Sequence, residues 1–303
     1  MAVLEQVEHG VGADVAGAAG DEDLHPQPQS DCEVDGTRHE DDQGGDRRGD
    51  DEPAGLHDRK PMRPPGVGLR PRGILAPHPR TGVPMYDVVV LGGGPGGYAA
   101  ALYAHNFGLS VALIEKERVG GTCLLRGCIP AKSWLQAAEV YQTVKTSSEF
   151  GVTGADDPGF DWGTGLGRKN RIVENLVRGL SGLLKHRKVD VIHGFGRLTS
   201  PTTVEVRTDG DHQVVEGRHV IIATGSVPRS IPGYEIDGHR VVSSDHALDW
   251  AERPQRVAIV GAGAIGCEFA SLLADLGSDV HLFELMDQIV PGSDADAAKE
   301  LSK

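Results

Sequence analysis

Tyr86-Asp87-Val88-Val89-Val90-Leu91-Gly92-Gly93-Gly94-Pro95-Gly96-Gly97 is the stretch on which the fold turns. Its first half is a short, unbroken apolar run, the pattern of a parallel strand covered on both faces. Its second half sets Gly92, Gly94 and Gly97 at Gly-x-Gly-x-x-Gly spacing. Those glycines serve a tight turn, close backbone approach to a pyrophosphate and close packing of the next helix on the strand. The Ala-rich segment from Tyr98 to about Phe107 predicts that helix, whose free N-terminal N–H groups and positive dipole end suit phosphate. The glycine spacing alone is a weak signal. A second apolar run, Ser110 to Ile114, strengthens it by ending in Glu115, where a carboxylate accepts hydrogen bonds from a ribose.

The same grammar returns later in the chain. Arg256-Val257-Ala258-Ile259-Val260 runs into Gly261-Ala262-Gly263-Ala264-Ile265-Gly266, and the run Asp279 to Phe283 ends in Glu284. Gly92 to Glu115 spans 23 positions and so does Gly261 to Glu284. Matching internal spacing predicts an α/β chain with two Rossmann-like dinucleotide-binding domains, over 85–235 and 236–303.

Between the two units lies Gly120-Gly121-Thr122-Cys123-Leu124-Leu125-Arg126-Gly127-Cys128-Ile129-Pro130-Ala131-Lys132. Five residues of ideal helix rise about 7.5 Å and turn about 140° past one full turn, so two thiols at that spacing point apart. A disulfide needs Cα atoms within about 7 Å. If Cys123 and Cys128 pair, the backbone between them is bent, and Gly127 and Pro130 permit a bend. With no second Cys/His pair nearby, a metal site is disfavoured. Taken alone, the spacing leaves redox work and simple burial evenly matched.

The neighbourhood decides. Gly-Gly-Thr-Cys-x4-Cys-Ile-Pro-x-Lys resembles the redox-active motif of the flavoprotein disulfide reductases, and the Leu-Leu-Arg-Gly filling is most similar to their dihydrolipoamide dehydrogenase branch. The resemblance implies that the first unit holds FAD through Gly92, Gly94, Gly97 and Glu115, with Gly121, Thr122 and Lys132 beside the flavin. It makes Cys123 the thiol that exchanges with a substrate dithiol and Cys128 the thiol that faces the flavin. The strand Val220 to Ser226 resembles the family's return strand, which brings Ala223, Thr224 and Gly225 close to the cofactor. The second unit then takes a nicotinamide nucleotide through Gly261, Gly263, Ile265, Gly266 and Glu284. A carboxylate at 284 pairs with a free ribose 2′-hydroxyl and repels a 2′-phosphate, which points to NAD over NADP. Glu268 matches a family glutamate that reaches toward the motif lysine, so a Glu268 to Lys132 ion pair is expected.

The implied activity oxidises protein-bound dihydrolipoyl groups through the cysteine pair and FAD and reduces NAD. The implied partner is the lipoyl domain of a 2-oxo acid dehydrogenase acyltransferase, or the carrier protein of glycine cleavage. Family members continue into a C-terminal dimerisation domain, which supplies a His-Glu pair to the partner subunit; the chain stops short of it at Lys303 and reads as truncated. Reductases for glutathione, mercuric ion or mycothione are close alternatives, and a catalytically inactive flavin-binding fragment is an alternative of another class.

Bulk properties agree with a soluble cytoplasmic enzyme. The 303 residues hold four cysteines, too few for a disulfide framework. No run approaches the ~18 apolar residues of a membrane span, and no secretory leader pattern opens the chain. The net charge of -14 is concentrated early. Positions 1–84 hold 17 acidic against 9 basic residues, and the remainder holds 27 against 21. Nothing is basic enough for nucleic acid. The head, Met1 to Pro84, lacks sustained periodicity and large apolar residues, so disorder is expected, either as a flexible arm or, the favoured reading, as an overextended reading frame before Met85. Cys32 lies in that head and receives no role, and Cys267 is expected to be a small buried residue. His246 and His281 are expected to be structural. A helix over about Gly167 to His186 is expected to send Arg168, Lys169 and Lys185 to solvent.

Overall fold

A computed structural model describes Ala2–Glu5 and residues 85–303. The disorder expected for the rest of the head, and Cys32 with it, lies outside the described residues. Ala2–Glu5 is a strand, β1, where no strand is legible from so short a run.

The first unit is built on β2 (Met85–Leu91), α1 (Pro95–Asn106) and β3 (Val111–Glu115). β2 and β3 run parallel, Val88 opposite Val111 through Leu91 opposite Ile114. Alternation along β2 feeds two separate cores. Val88 and Val90 face Ala101 of α1 and Leu113, Leu184 and Val189. Val89 and Leu91 face Ala112, Ile114, Val204, Val206 and Val215. Both faces are covered, which is why the run is apolar throughout.

A short helix, α2 (Gly121–Arg126), and a long one, α3 (Cys128–Lys145), follow. A short 3-10 turn leads to α4 (Trp162–His186), which starts five residues before the expected Gly167. The Asp161 side chain caps it by accepting from the Thr164 N–H. The chain then lays down β4 (Asp190–His193), β5 (Phe195–Ser200), β6 (Thr203–Thr208) and β7 (Asp211–Ile222). β4 joins the parallel sheet beside β3, and the antiparallel addition begins at β5. β7 is one continuous strand. Its first half pairs antiparallel with β6 and its second half parallel with β2, giving the order β4-β3-β2-β7-β6-β5.

The second unit follows α5 (Ser244–Ala247) and consists of β8 (Arg256–Val260), α6 (Ala264–Asp275), β9 (Asp279–Phe283) and α7 (Ala295–Leu301). Its sheet has the order β1-β8-β9, all parallel. His246 works as a structural cap, its Nδ1 lying 2.8 Å from the Ser243 hydroxyl at the start of α5.

The core under β8 is shared. Ala131, Trp134 and Ala138 of α3 pack with Val257 and Ile259 of β8 and Phe269, Leu272 and Leu273 of α6. Trp134 is 2% exposed. Its ring stacks on Trp162 with centroids 4.2 Å apart, and its Nε1 donates to the Leu248 carbonyl at 3.3 Å. Lys169, expected at the surface, is buried, and its Nζ pairs with the Asp249 carboxylate. That partner lies 80 positions away, so helical periodicity alone put Lys169 on the wrong face.

Candidate active site

Two glycine turns carry matching geometry, shifted by 169 positions (Gly92 to Gly261, Glu115 to Glu284). In each, the first glycine N–H reaches the second strand at 2.8 Å: Gly92 to the Ile114 carbonyl and Gly261 to the Phe283 carbonyl. In each, the acidic residue closes back on the turn, Glu115 accepting from the Gly93 N–H and Glu284 from the Ala262 N–H, both at 2.7 Å. α1 and α6 each have 12 residues, and each starts from a glycine, Gly94 or Gly263, with no side-chain cap. The first N–H groups of both helices are therefore unclaimed by side chains, as a bound phosphate requires.

The last glycine of each turn is imposed by contact. A Cβ on Gly97 would lie 1.7 Å from the Gly92 carbonyl oxygen, and one on Gly266 would lie 1.9 Å from that of Gly261. Ala223, just after β7, donates its N–H to the Leu91 carbonyl and presses its own carbonyl against Gly92. Thr224 and Gly225 follow it, exposed, at the same edge of the sheet. Ile265 is half-buried near the start of α6, against the shared core. Glycine turns, uncapped helix starts and a carboxylate on each second strand fit two dinucleotides. Gly92, Gly94, Gly97 and Glu115 are placed so that they could hold the first, and Gly261, Gly263, Gly266 and Glu284 so that they could hold the second.

Glu284 is electrostatically set for its place. Burial pushes its carboxyl up, but the N–H groups of Met286, Ala262 and Leu285 outweigh that and hold it below the usual range.

The cysteine helices begin against the first glycine turn. Gly120 donates its N–H to the Gly93 carbonyl at 2.8 Å, and Gly121, at φ +58°, lies so close to Gly94 that a Cβ would come within 2.5 Å of the Gly94 Cα. Thr122 follows, exposed, on α2. Gly127, at φ −141° and ψ −111°, breaks the helix between the two cysteines. The bend that the five-residue spacing demands is therefore present. Cys123 sits on α2 and Cys128 opens α3, and both are free thiols.

The thiols touch. Burial, then the hydrogen bond and the charge of the Cys128 side chain, push the Cys123 thiol up to about 11; the Cys128 backbone N–H and the Lys132 ammonium pull the other way. Lys132, one turn along α3, forms an ion pair with Glu268 of α6. That pair ties the cysteine helix to the second nucleotide unit.

Sequence reasoning gave no partner to the groups that brace this arrangement. Arg126, between the cysteines, pairs with Glu117 and stands 3.9 Å from Asp245. Arg168 donates to the Ser133 carbonyl and hydroxyl at 3.2 and 3.0 Å. Their only signal in the sequence is charge, which names no partner. Cys267 is half-buried, with its Sγ 3.2 Å from the Ala262 carbonyl. His281 is exposed on β9, 3.5 Å from the Asp279 carboxylate. Among the described residues no helix is long and apolar enough to cross a membrane.

Comparison with known proteins agrees with this geometry. The family model described as pyridine nucleotide-disulphide oxidoreductase matches residues 86–303. A dihydrolipoyl dehydrogenase of Bacillus subtilis is 44% identical over 225 residues, covering 71% of this chain and 47% of the relative. One from Acholeplasma laidlawii is 44% identical over 215 residues, covering 70% of this chain and 63% of the relative. Among solved structures, the Cu(II) complex of an HOCl-induced flavoprotein disulfide reductase from Escherichia coli aligns at 28% identity with a TM-score of 0.60, over 72% of this chain and 46% of that one. The chain spans about half the length of most of the curated relatives it matches. With two glycine turns in register and a cysteine pair seated against the first, the chain belongs to the pyridine nucleotide-disulphide oxidoreductase family.

Proposed function

We propose that this chain is the nucleotide- and disulfide-bearing part of a dihydrolipoyl dehydrogenase, with FAD on the first glycine turn and NAD on the second. The observation that carries the proposal is the placing of Cys123 on α2 and Cys128 on α3, either side of the Gly127 break, on helices that begin where Gly120 and Gly121 meet Gly93 and Gly94. Bound FAD and NAD supply the two-electron carrier chemistry that the protein side chains lack.

In the disulfide form, one sulfur of a dihydrolipoyl dithiol attacks the Cys123 Sγ, and the Cys123 to Cys128 bond breaks to release the Cys128 thiolate. The second substrate sulfur then attacks the first, forming the cyclic substrate disulfide and releasing the Cys123 thiolate. The substrate loses two electrons and two protons, and the cysteine pair gains the electrons. Cys123 takes up a proton readily, because its thiol is pushed up to about 11. Lys132, paired with Glu268, keeps positive charge near the pair and favours its thiolate forms. The resemblance places the acid and base for the substrate dithiol in a His-Glu pair of a dimerisation domain. A homodimer, a lipoyl-domain partner and a cytoplasmic location complete the reading.

Glu284, held ionised by three backbone N–H groups, supports NAD over NADP. The deciding experiment adds dihydrolipoamide anaerobically to the purified, oxidised 303-residue chain reconstituted with FAD. The expected result is a yellow protein that gains two titratable thiols per chain, a gain lost in Cys123→Ser. A chain that binds no FAD, or whose thiol count does not change, overturns the proposal.

A further inference from the structure

The two units differ in what lies on the far side of their first strand. In a doubly wound sheet the first strand is flanked by the second strand on one side and by a later crossover strand on the other. In the first unit those neighbours are β3 and β7, with Val88, Val89, Val90 and Leu91 opposite His219, Val220, Ile221 and Ile222. Shifting those β2 positions by 169 gives Val257, Ala258, Ile259 and Val260. Opposite these four, in the same parallel sense, stand Ala2, Val3, Leu4 and Glu5. The register matches as well, since Leu91 and Val260 each immediately precede their glycine turn and each closes its ladder. A segment from the start of the chain therefore fills the slot that a later strand fills in the first unit.

The slot has a physical demand of its own. Val257, Ala258 and Ile259 are buried, so an unpaired β8 edge would leave backbone N–H and C=O groups at the rim of an apolar core. A short extended segment answers that demand with its backbone alone, by strand addition. Ala-Val-Leu-Glu has no proline to interrupt a ladder.

We propose that Ala2–Glu5 is an in-chain edge strand that completes the second nucleotide-binding sheet, and that the β8 edge is a strand-addition site. Both strands belong to one compact unit. The site accepts one strand at a time, so β1 and any later strand of the same sheet are mutually exclusive occupants. Because β8 runs directly into Gly261, filling its edge also fixes the entry to the second glycine turn.

Hydrogen–deuterium exchange on the 303-residue chain tests this through the amides of residues 256–260. The first variant is Val3→Pro with Leu4→Pro. Two successive positions are changed because only every second N–H of a strand points at a given neighbour, and proline has none to donate. The second variant begins at Met85. Exchange at 256–260 is expected to rise about tenfold or more in both, while the β2 amides stay unchanged as an internal reference. Should the shortened chain fail to fold, the proline variant decides alone. Unchanged protection in the proline variant overturns the proposal. So does protection at 256–260 that fades when the unaltered chain is diluted, since the strand would then come from a second copy.

Discussion

Replacing Trp134 by alanine tests whether the cysteine helix is a structural part of the second unit. The side chain is 2% exposed and stacks on Trp162, and it meets a core drawn from α3, β8 and α6. Truncating a buried Trp costs about 3–5 kcal/mol in lost transfer energy and cavity formation. Losing the Nε1 donor also leaves the Leu248 carbonyl without that partner, at roughly 1 kcal/mol. For a cooperative unit of about 200 residues, each kcal/mol lowers Tm by about 2–4 °C, so a fall on the order of 10 °C is expected. Thermal and urea unfolding followed by far-ultraviolet circular dichroism measure the fall in Tm and the free-energy loss, with Trp134→Phe as the milder comparison that keeps the aromatic face. The expected outcome is a lower midpoint at unchanged slope, larger for alanine than for phenylalanine. A loss below about 1 kcal/mol for the alanine variant would refute the shared core.

The first glycine turn offers a matched pair: a Cβ on Gly97 collides with the Gly92 carbonyl at 1.7 Å, whereas one on Gly96 meets only the Ala223 Cβ at 3.8 Å. Gly97→Ala should therefore cut FAD retention about tenfold or more and Gly96→Ala should leave it near normal, as flavin absorbance per chain will show. Cys128→Ala removes the hydrogen bond and charge that help hold Cys123 high, so the Cys123 thiol should titrate below about 11 by thiolate ultraviolet absorbance. In the reduced chain, the raised Cys123 pKa means the folded state binds its proton more tightly than the unfolded state. Stability should hold below pH 9.0 and decline as pH rises toward about 11, while the disulfide form, which keeps only the raised Cys267 thiol, shows a smaller decline in paired urea titrations. Glu284→Gln should narrow the preference for NAD over NADP in binding titrations, and a wild-type chain that favours NADP would reject the role given to that carboxylate.

What was legible in the sequence was whatever is encoded as spacing. Gly92, Gly97, Glu115 and their counterparts at 261, 266 and 284 are fixed by contacts within a few residues of strand and turn, so pattern and geometry coincide. The bend at Gly127 was legible as a condition, because two cysteines five apart cannot meet on one straight helix, and it was the family motif that said they meet. Ion pairing of Lys132 with Glu268 was readable only through the family motif, since 136 positions separate them. The remaining features depend on what lies across a gap that periodicity cannot see. Ala131, Trp134 and Ala138 share one buried face of α3, and nothing local in the sequence says that β8 and α6 lie beneath it. Lys169 is buried because Asp249 waits for it, and β7 is one strand because two different neighbours, β6 and β2, use its two halves. β1 has four residues, too few to show a period, and its only argument is the open edge it meets.

The placement of α3 bears on how such a protein can be recombined. A swap of nucleotide-binding modules cut in the linker, near residue 235, would leave Trp134 and Ala138 on one piece and the surface they fill on the other. A cut ahead of α3 does no better, because it would part β2 and β3 from β7 and β4 of the same sheet. The two units are therefore exchanged whole, with the cysteine helix that joins them.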